Sequence, residues 1–451
     1  MLARVSRVVL CSAALLIPAT AIAQSYDKSE IEMFQTLNRQ PSDLARYGYL
    51  TELMPHLSAP DQIIALQMLA TSEDELGLYD QAILSFPLRV SAVENLVLPT
   101  TTEWQATDAA DAIAKLAADR HIVLINEAHH NAHTRQLTLA LLPRLRAMGF
   151  TYFAAEALGD KDPGLMQRGY PIKESGSEYL REPLYGEIVR EAIRLGFIIV
   201  PYDDAIDDTV AAREAGQANN LYQRVFTKDP QARLFVHCGY AHIDKAKGRL
   251  GSAEPMAMRL QQLTRLDPLS IDQTQFLEVA MDQSDAYHQL IARFPSKTPF
   301  VLINRVSGEA WSASPKLYDV NVILPATVNL KSFDEKVVVN NGEKIEGNKD
   351  MLNLSTDLIS TSDLRRPSWL TLEGQRYPIP IGVELCRTQI PCVVEALYFS
   401  ESDSATAADR YAFMESNAAS KLYLRPGSYR LRALNDTGTT LSERIIQVEK
   451  H

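Results

Sequence analysis

The sequence predicts an α/β protein: a mainly parallel sheet with helices on both faces, preceded by a helical subdomain and followed by a small antiparallel β domain. Three observations carry that prediction. Helical spacing dominates from Ser25 to about Pro99; apolar runs alternate with helical segments from Thr101 to about Ala326; short strand-like runs punctuated by turns fill the chain after Arg366. Strand, helix, strand, helix in this rhythm implies a parallel sheet covered on both sides.

Each part has its own signature. In the first, "SEIEMFQTLNRQ" pairs a Ser cap with apolar residues at helical spacing. "APDQIIALQMLATSEDELGLYDQAILSFPLRV" reads as two helices joined near Gly77, with Gly77, Tyr79, Ala82 and Phe86 spaced like half of a tetratricopeptide repeat. In the second, "HIVLIN" leads into the helix "HTRQLTLALLPRLRAMG", then "FTYFAAEAL"; "EIVREAIRLG" leads into "FIIVPYD"; "AAREAGQANNLYQRVF" precedes "ARLFVHCGYAHI". A polar stretch from 329 to 365 reads as a linker or long loop. In the third, "SWLTLEG", "YPIPIGVELC", "CVVEALYF", "SKLYLRPGSYRLRALND" and "SERIIQVEK" read as strands. The expected boundaries are thus 24–99, 100–328, 329–365 and 366–451.

Residues 1–23 read as an export signal. "MLARVSR" supplies positive charge, "VVLCSAALLIPATA" an apolar segment too short to span a membrane, and "AIAQ" a cleavage site after Ala23. The expectation is a secreted or periplasmic chain without a transmembrane segment in its mature form. Cys386 and Cys392 flank a short turn containing Pro391 and are expected to pair in an oxidising compartment, against the alternative of two separate thiols; Cys238 is expected as a small buried residue. The net charge of −11 argues against a nucleic-acid partner, because phosphate binding needs clustered Lys and Arg.

Four of the nine histidines lie between His121 and His133, around one apolar run. Parallel sheets place their chemistry at the carboxyl ends of strands. There the chain carries Glu127, His129, His130 and His133, then Glu156, then Asp203 and Asp204, then Tyr240, His242 and Asp244. Two sub-patterns match, "NEAH" (Asn126–His129) and "GYAH" (Gly239–His242), each expected to turn the chain sharply and aim an imidazole over the sheet edge. Two such histidines suit base and acid duties on one substrate or a shared divalent metal, with Glu127 and Glu156 as carboxylates that orient them.

Other residues divide between a site role and a plain one. Arg135 is either a helix-surface charge or, with the first turn of its helix, an oxyanion binder. His130 and His133 are either substrate-binding or loop residues. Arg213, Gln217, Asn220 and Arg224 share a helical face, and Arg213 could reach the rim. His121 and His237 read as packing. No GxSxG elbow, phosphate-binding loop, dinucleotide fingerprint or HExxH occurs in place.

"LINEAHHNAHTRQLTLALLPRLRAMGFTYFAAEAL", "REAGQANNLYQRVF" and "FVHCGYAHI" together resemble the superfamily that joins erythromycin esterases, ChaN-type haem-binding uptake proteins and Tiki/TraB proteins. The resemblance covers roughly Ala118 to Gln275. It implies an α/β fold with paired G-x-x-H motifs on Asn126–His129 and Gly239–His242, a strand-end acid on Glu156 and a helix arginine on Arg213. Asn126 departs from the family's Gly, although Asn also tolerates left-handed backbone.

The branches imply different functions: ester hydrolysis with histidine as base, metal-dependent proteolysis, or haem binding. The leading expectation is an exported hydrolase of an ester or amide in a small-molecule or peptide substrate. Catalysis would fall to Glu127, His129, Glu156, Arg213 and His242, with His130, His133, Arg135, Asp203 and Tyr240 at the substrate. The alternatives are a haem or metal carrier, with Tyr240 and the histidines as ligands and His129 and His242 as the metal candidates, and a non-catalytic surface scaffold.

Overall fold

The computed structural model describes residues 28–88, 92–203, 209–279, 286–327, 366–416 and 418–450. The expected export signal, Asp204 and the whole of the expected linker lie outside them. Four helices come first: α1 (Lys28–Asn38), α2 (Asp43–Leu53), α3 (Ala59–Glu75) and α4 (Tyr79–Ser85). Ser42 and Ser58 cap α2 and α3 by accepting the amides of Ala45 and Asp61. Gly77 turns α3 into α4 at φ 75°, and a side chain there would collide with the Arg410 carbonyl.

The central domain runs β1 (Trp104–Asp108), α5 (Ala109–Leu116), β2 (Ile122–Glu127), α6 (His133–Ala147), β3 (Tyr152–Ala155), α7 (Leu165–Arg168), α8 (Pro183–Arg194), β4 (Ile198–Ile199), α9 (Val210–Leu221), β5 (Leu234–Gly239), α10 (Met256–Thr264), β6 (Leu269–Asp272), α11 (Ala286–Arg293), β7 (Phe300–Asn304) and β8 (Val320–Ile323). The eight strands form one sheet in the order β1-β7-β8-β6-β2-β5-β3-β4. Neighbours pair in parallel, except that β7 runs antiparallel to both β1 and β8.

Alternation of side chains sorts the sheet onto two cores. Val123, Ile125, Phe153, Ala155 and Phe235 pack with α5, α6 and α8. Ile122, Leu124, Ala154, Leu234, Val236 and Cys238 pack with α9 and α10 on the other face. Strand β5 therefore enters between β2 and β3 after α5, α6 and α8 have covered one face and α9 the opposite face. That crossover brings the carboxyl ends of β2, β5 and β3 side by side, where ligand sites form in such sheets.

The last part holds β9 (Tyr377–Gly382), β10 (Cys392–Tyr398), β11 (Asp409–Phe413), β12 (Ala419–Leu424), β13 (Gly427–Leu434) and β14 (Thr440–Val448). They form a four-stranded antiparallel sheet, β11-β10-β13-β14, and the pair β12-β9. Two details differ from the sequence reading. "SWLT" forms a 3-10 turn, not a strand, and Asp409–Phe413 adds a strand that the pattern hid. Cys386 and Cys392 are disulfide-bonded, with Cys386 ending a 3-10 turn and only Cys392 on a strand. Cys238 is buried and free, as expected.

The three parts interlock. Arg190 of α8 pairs with Glu401 at 2.6 Å and donates to the Thr406 carbonyl. Arg366 joins Asp409 to the Gly77 carbonyl. Trp369 stacks on His133 and lies 5.3 Å from the Tyr79 ring. Among the described residues no helix is long and apolar enough to cross a membrane.

Candidate active site

Glu127 ends β2, and the chain turns at once into His129. The Glu127 carboxylate divides its oxygens: Oε1 lies 3.0 Å from His129 Nδ1, and Oε2 accepts from Arg135 Nε at 2.6 Å. Burial alone would raise this carboxyl, but the Arg135 guanidinium and the bonds from His129 and His237 hold it well below the usual carboxylate range. A carboxylate on Nδ1 fixes the proton there and leaves Nε2 as the lone-pair nitrogen.

The other edge of the His129 ring faces β5. A β-carbon added to Gly239 would stand 2.5 Å from Cε1 and 2.7 Å from Nε2. Gly239 has φ −79°, so it serves close approach rather than a left-handed turn. Tyr179 stacks on the ring at 4.2 Å between centroids, and Tyr240 meets it edge-on at 5.1 Å. The imidazole is thus stacked on one face by Tyr179, meets Tyr240 at a right angle and abuts Gly239.

Glu156 follows β3 and sits beside the same Gly239. Its Oε2 accepts the Gly239 amide at 2.5 Å, and its Oε1 lies 2.5 Å from Arg213 Nη2 and 3.5 Å from His242 Nε2. On its far side His242 Nδ1 forms an ion pair with Glu214 Oε1 at 2.6 Å. Burial disfavours a charged His242, yet Glu214 and Glu156 overcome it and push the imidazole up to about 10. Burial likewise acts against an ionised Glu156, and His242 and Arg213 hold it well below its ordinary value. His129, Glu156, His242 and Arg213 therefore converge around one strand end, with His242 and Arg213 as its cations.

The face of α9 expected to bear polar residues clamps the end of β4 instead of facing water. Arg213 Nη2 and Gln217 Nε2 reach the two oxygens of Asp203 at 2.6 and 2.9 Å. Asn220 donates to the Tyr202 carbonyl at 2.9 Å, and Arg224 to the Pro201 carbonyl. Asp203 is thus held between Arg213 and Gln217, beside Glu156.

Several expectations need correction. Arg135 has no exposed surface, so it is not a helix-surface charge. Its guanidinium bonds Glu127, Asp74 at 2.8 Å, Glu182 at 3.1 Å and the His129 carbonyl at 3.1 Å. The first turn of α6 offers no amides to an anion either. Ala132 donates to Asp74, His133 to Asn131 Oδ1, Thr134 to the Asn131 carbonyl and Arg135 to the Ala132 carbonyl.

His130 and His133 are buried rather than set in an open cleft. His130 stacks on Phe86 at 3.4 Å and His133 on Trp369 at 4.8 Å. Burial, helped at His130 by the neighbouring charges, drives both imidazoles down to about 3, so both stay neutral. Tyr240 is the strained member, at φ 39°, and its hydroxyl lies 3.4 Å from His130 Nδ1.

Asn126 is extended in β2 and needs no left-handed backbone. Its amide nitrogen bonds the Tyr240 carbonyl, Asp272 and Thr274, which ties β2 to the ends of β5 and β6. His237 reaches further than packing: its Nε2 lies 3.7 Å from Glu127, and Nδ1 lies 2.9 Å from the Thr138 hydroxyl. His121 does remain structural, at the Ala232 carbonyl. Asp244 is spent on Arg249, which also pairs with Asp272.

Sequence reasoning missed Asp74, Tyr179, Glu182, Glu214 and Asp272. Asp272 was the most accessible of these, being an acid at the end of a short apolar run. Asp74 sits in "SEDE", which reads as a solvated helix end; three consecutive buried acids there, Glu73, Asp74 and Glu75, show otherwise.

Among the described residues no group of three or more His, Cys, Asp or Glu is placed to hold a metal ion together. The haem ligand expected at Tyr240 turns its hydroxyl to His130.

No family model and no curated protein matches this chain. Three solved structures are similar over part of it. One, described as a crystal structure of bacterial protein toxins, is 21% identical over 35% of each chain, with a TM-score of 0.28. RRSP, a MARTX toxin effector domain from Vibrio vulnificus CMCP6, is 16% identical over 45% of this chain and 43% of its own, with a TM-score of 0.27. A further bacterial toxin structure is 17% identical over 52% of this chain and 46% of its own, with a TM-score of 0.27. The chain therefore spans less than half the length of each.

Proposed function

We propose that this protein is a hydrolase that cleaves an ester or amide with water, using His129 as general base. The observation that carries the proposal is the ordered imidazole: Nδ1 on Glu127 at 3.0 Å, with Nε2 turned to Gly239 beside Glu156. A base oriented by a buried carboxylate, itself oriented by a cation, is the arrangement that general-base hydrolysis requires.

In this reading Nε2 takes a proton from water as the water oxygen attacks the carbonyl carbon. Glu127 stabilises the imidazolium that forms. Arg213 and His242, the latter charged through neutral pH, oppose the negative charge that develops on the carbonyl oxygen; Glu156 sets their position and tempers their charge. The proton on His129 then passes to the leaving alkoxide or amine as the carbon–oxygen or carbon–nitrogen bond breaks. The sequence resemblance to the erythromycin esterase, ChaN and Tiki group supports the placement of Glu127, His129, Glu156, Arg213 and His242 in this machinery.

The test is a panel of activated esters and peptides assayed with the full chain. His129→Ala should lower kcat by roughly 10²–10⁴ while the melting temperature holds, the range for loss of a general base. Turnover of a responsive substrate by His129→Ala at the wild-type rate would refute the assignment.

A further inference from the structure

We propose that Asp74, on the helical segment that precedes the α/β domain, is a positioning residue for the catalytic histidine, acting through Arg135. The proposal rests on His129 being the general base and names the element outside the α/β domain that controls it.

A guanidinium is a rigid planar fork, so fixing one arm fixes the direction of the others. Nη1 of Arg135 is gripped from two sides, by Asp74 at 2.8 Å and Glu182 at 3.1 Å. That grip aims Nε at Glu127 and Nη2 at the His129 carbonyl. Asp74 also uses its second oxygen, accepting the Ala132 amide at 2.9 Å in the turn between His129 and α6. One side chain from α3 therefore holds both the backbone of the catalytic turn and the cation that orients its carboxylate.

The charge balance agrees. Three carboxylates, Asp74, Glu127 and Glu182, share one buried guanidinium. Burial, with Glu182 adding to it, outweighs Arg135 and holds Asp74 well above the usual carboxylate range, while Glu127 is held well below it. Negative charge is thus favoured at Glu127, beside the His129 ring. Glu182 is itself anchored by the Tyr79 hydroxyl of α4 and by the Leu184 and Tyr185 amides of α8, so its oxygens cannot swing over to replace Asp74.

The test compares full-length wild type with Asp74→Asn, in which one amide oxygen cannot serve both the Ala132 amide and Arg135. Glu182→Gln, which weakens the same arm from its other side, is the second variant should the first fold poorly. Two readouts separate positioning from mere structural support. Steady-state kinetics should give kcat lowered about tenfold with KM held within about twofold, the signature of an interaction expressed in the transition state. Proton NMR of histidine-labelled protein should show the low-field Nδ1–H resonance of His129, assigned by its loss in His129→Gln, moved upfield or broadened away.

The NMR readout needs no substrate, so it tests the inference independently of the hydrolase reading. A displaced resonance beside activity that ignores His129→Ala keeps the wiring and removes the hydrolase. A folded Asp74→Asn protein with the wild-type resonance and kcat overturns the wiring.

Discussion

Replacing Gly239 with alanine isolates the contact on which the proposed chemistry depends. Its backbone has φ −79°, so alanine fits the main chain without strain. By itself the exchange would stabilise the fold by about 0.4–1 kcal/mol through the unfolded state. The new methyl, however, would stand 2.5 Å from His129 Cε1 and 2.7 Å from Nε2. Carbon atoms rest about 3.5–4.0 Å apart, so the ring must retreat by about 1 Å. Tyr179 blocks one face at 4.2 Å, and Glu127 tethers Nδ1 at 3.0 Å. Overpacking of this kind costs about 1–3 kcal/mol and so outweighs the entropic gain. A misplacement of about 1 Å costs roughly 10² in rate, equivalent to about 2.7 kcal/mol of transition-state free energy. The assay is kcat and KM for Gly239→Ala on a substrate that wild type turns over, alongside thermal unfolding. A variant with kcat within about twofold of wild type would show that His129 is not confined as described, and the argument from Gly239 would fail.

Two further outcomes follow from the charge and covalent structure. Because the folded pKa of His242 is raised from 6.5 to about 10, its stabilising contribution is complete below pH 6.5 and is lost as pH rises through about 10. Urea midpoints of wild type should therefore fall across that window, and His242→Gln should flatten the slope; equal slopes would refute the assigned charge. The Cys386–Cys392 bridge closes a loop of sequence separation 6 and should contribute about 2 kcal/mol. Alkylation mass with and without reductant should report one bridged pair, and Cys392→Ser should lower the denaturation midpoint; two free thiols in the native chain would contradict it.

What the sequence revealed, and what it hid, follows from range. The runs that became β2 and β5 were legible because strands buried on both faces are continuously apolar, and the polar residues that end them mark the rim. Glu127, His129, Glu156 and His242 could be placed together from that topology, and Arg213 from its place just after the acidic strand end and from the family resemblance. Arg135 was misread because an arginine in a helix's first turn is normally solvated; its burial depends on Asp74 and Glu182, which arrive from α3 and the start of α8. Periodicity within one helix carries no information about such partners. The same holds for His130 and His133, whose burial is completed by Phe86 and Trp369 from outside the α/β domain. The second motif's glycine was noticed, but for a turn rather than for the space its missing side chain leaves.

The joint formed by Arg190, Arg366 and Trp369 also shapes how the molecule comes apart. Each of these residues touches more than one of the three parts, so peeling away the β domain would bare a guanidinium's carboxylate partner or strip the aromatic cover from His133. Buried charges left without partners are costly. Melting should therefore proceed as a single cooperative event, and fragments cut at the apparent domain borders would forfeit cohesion that the intact chain possesses.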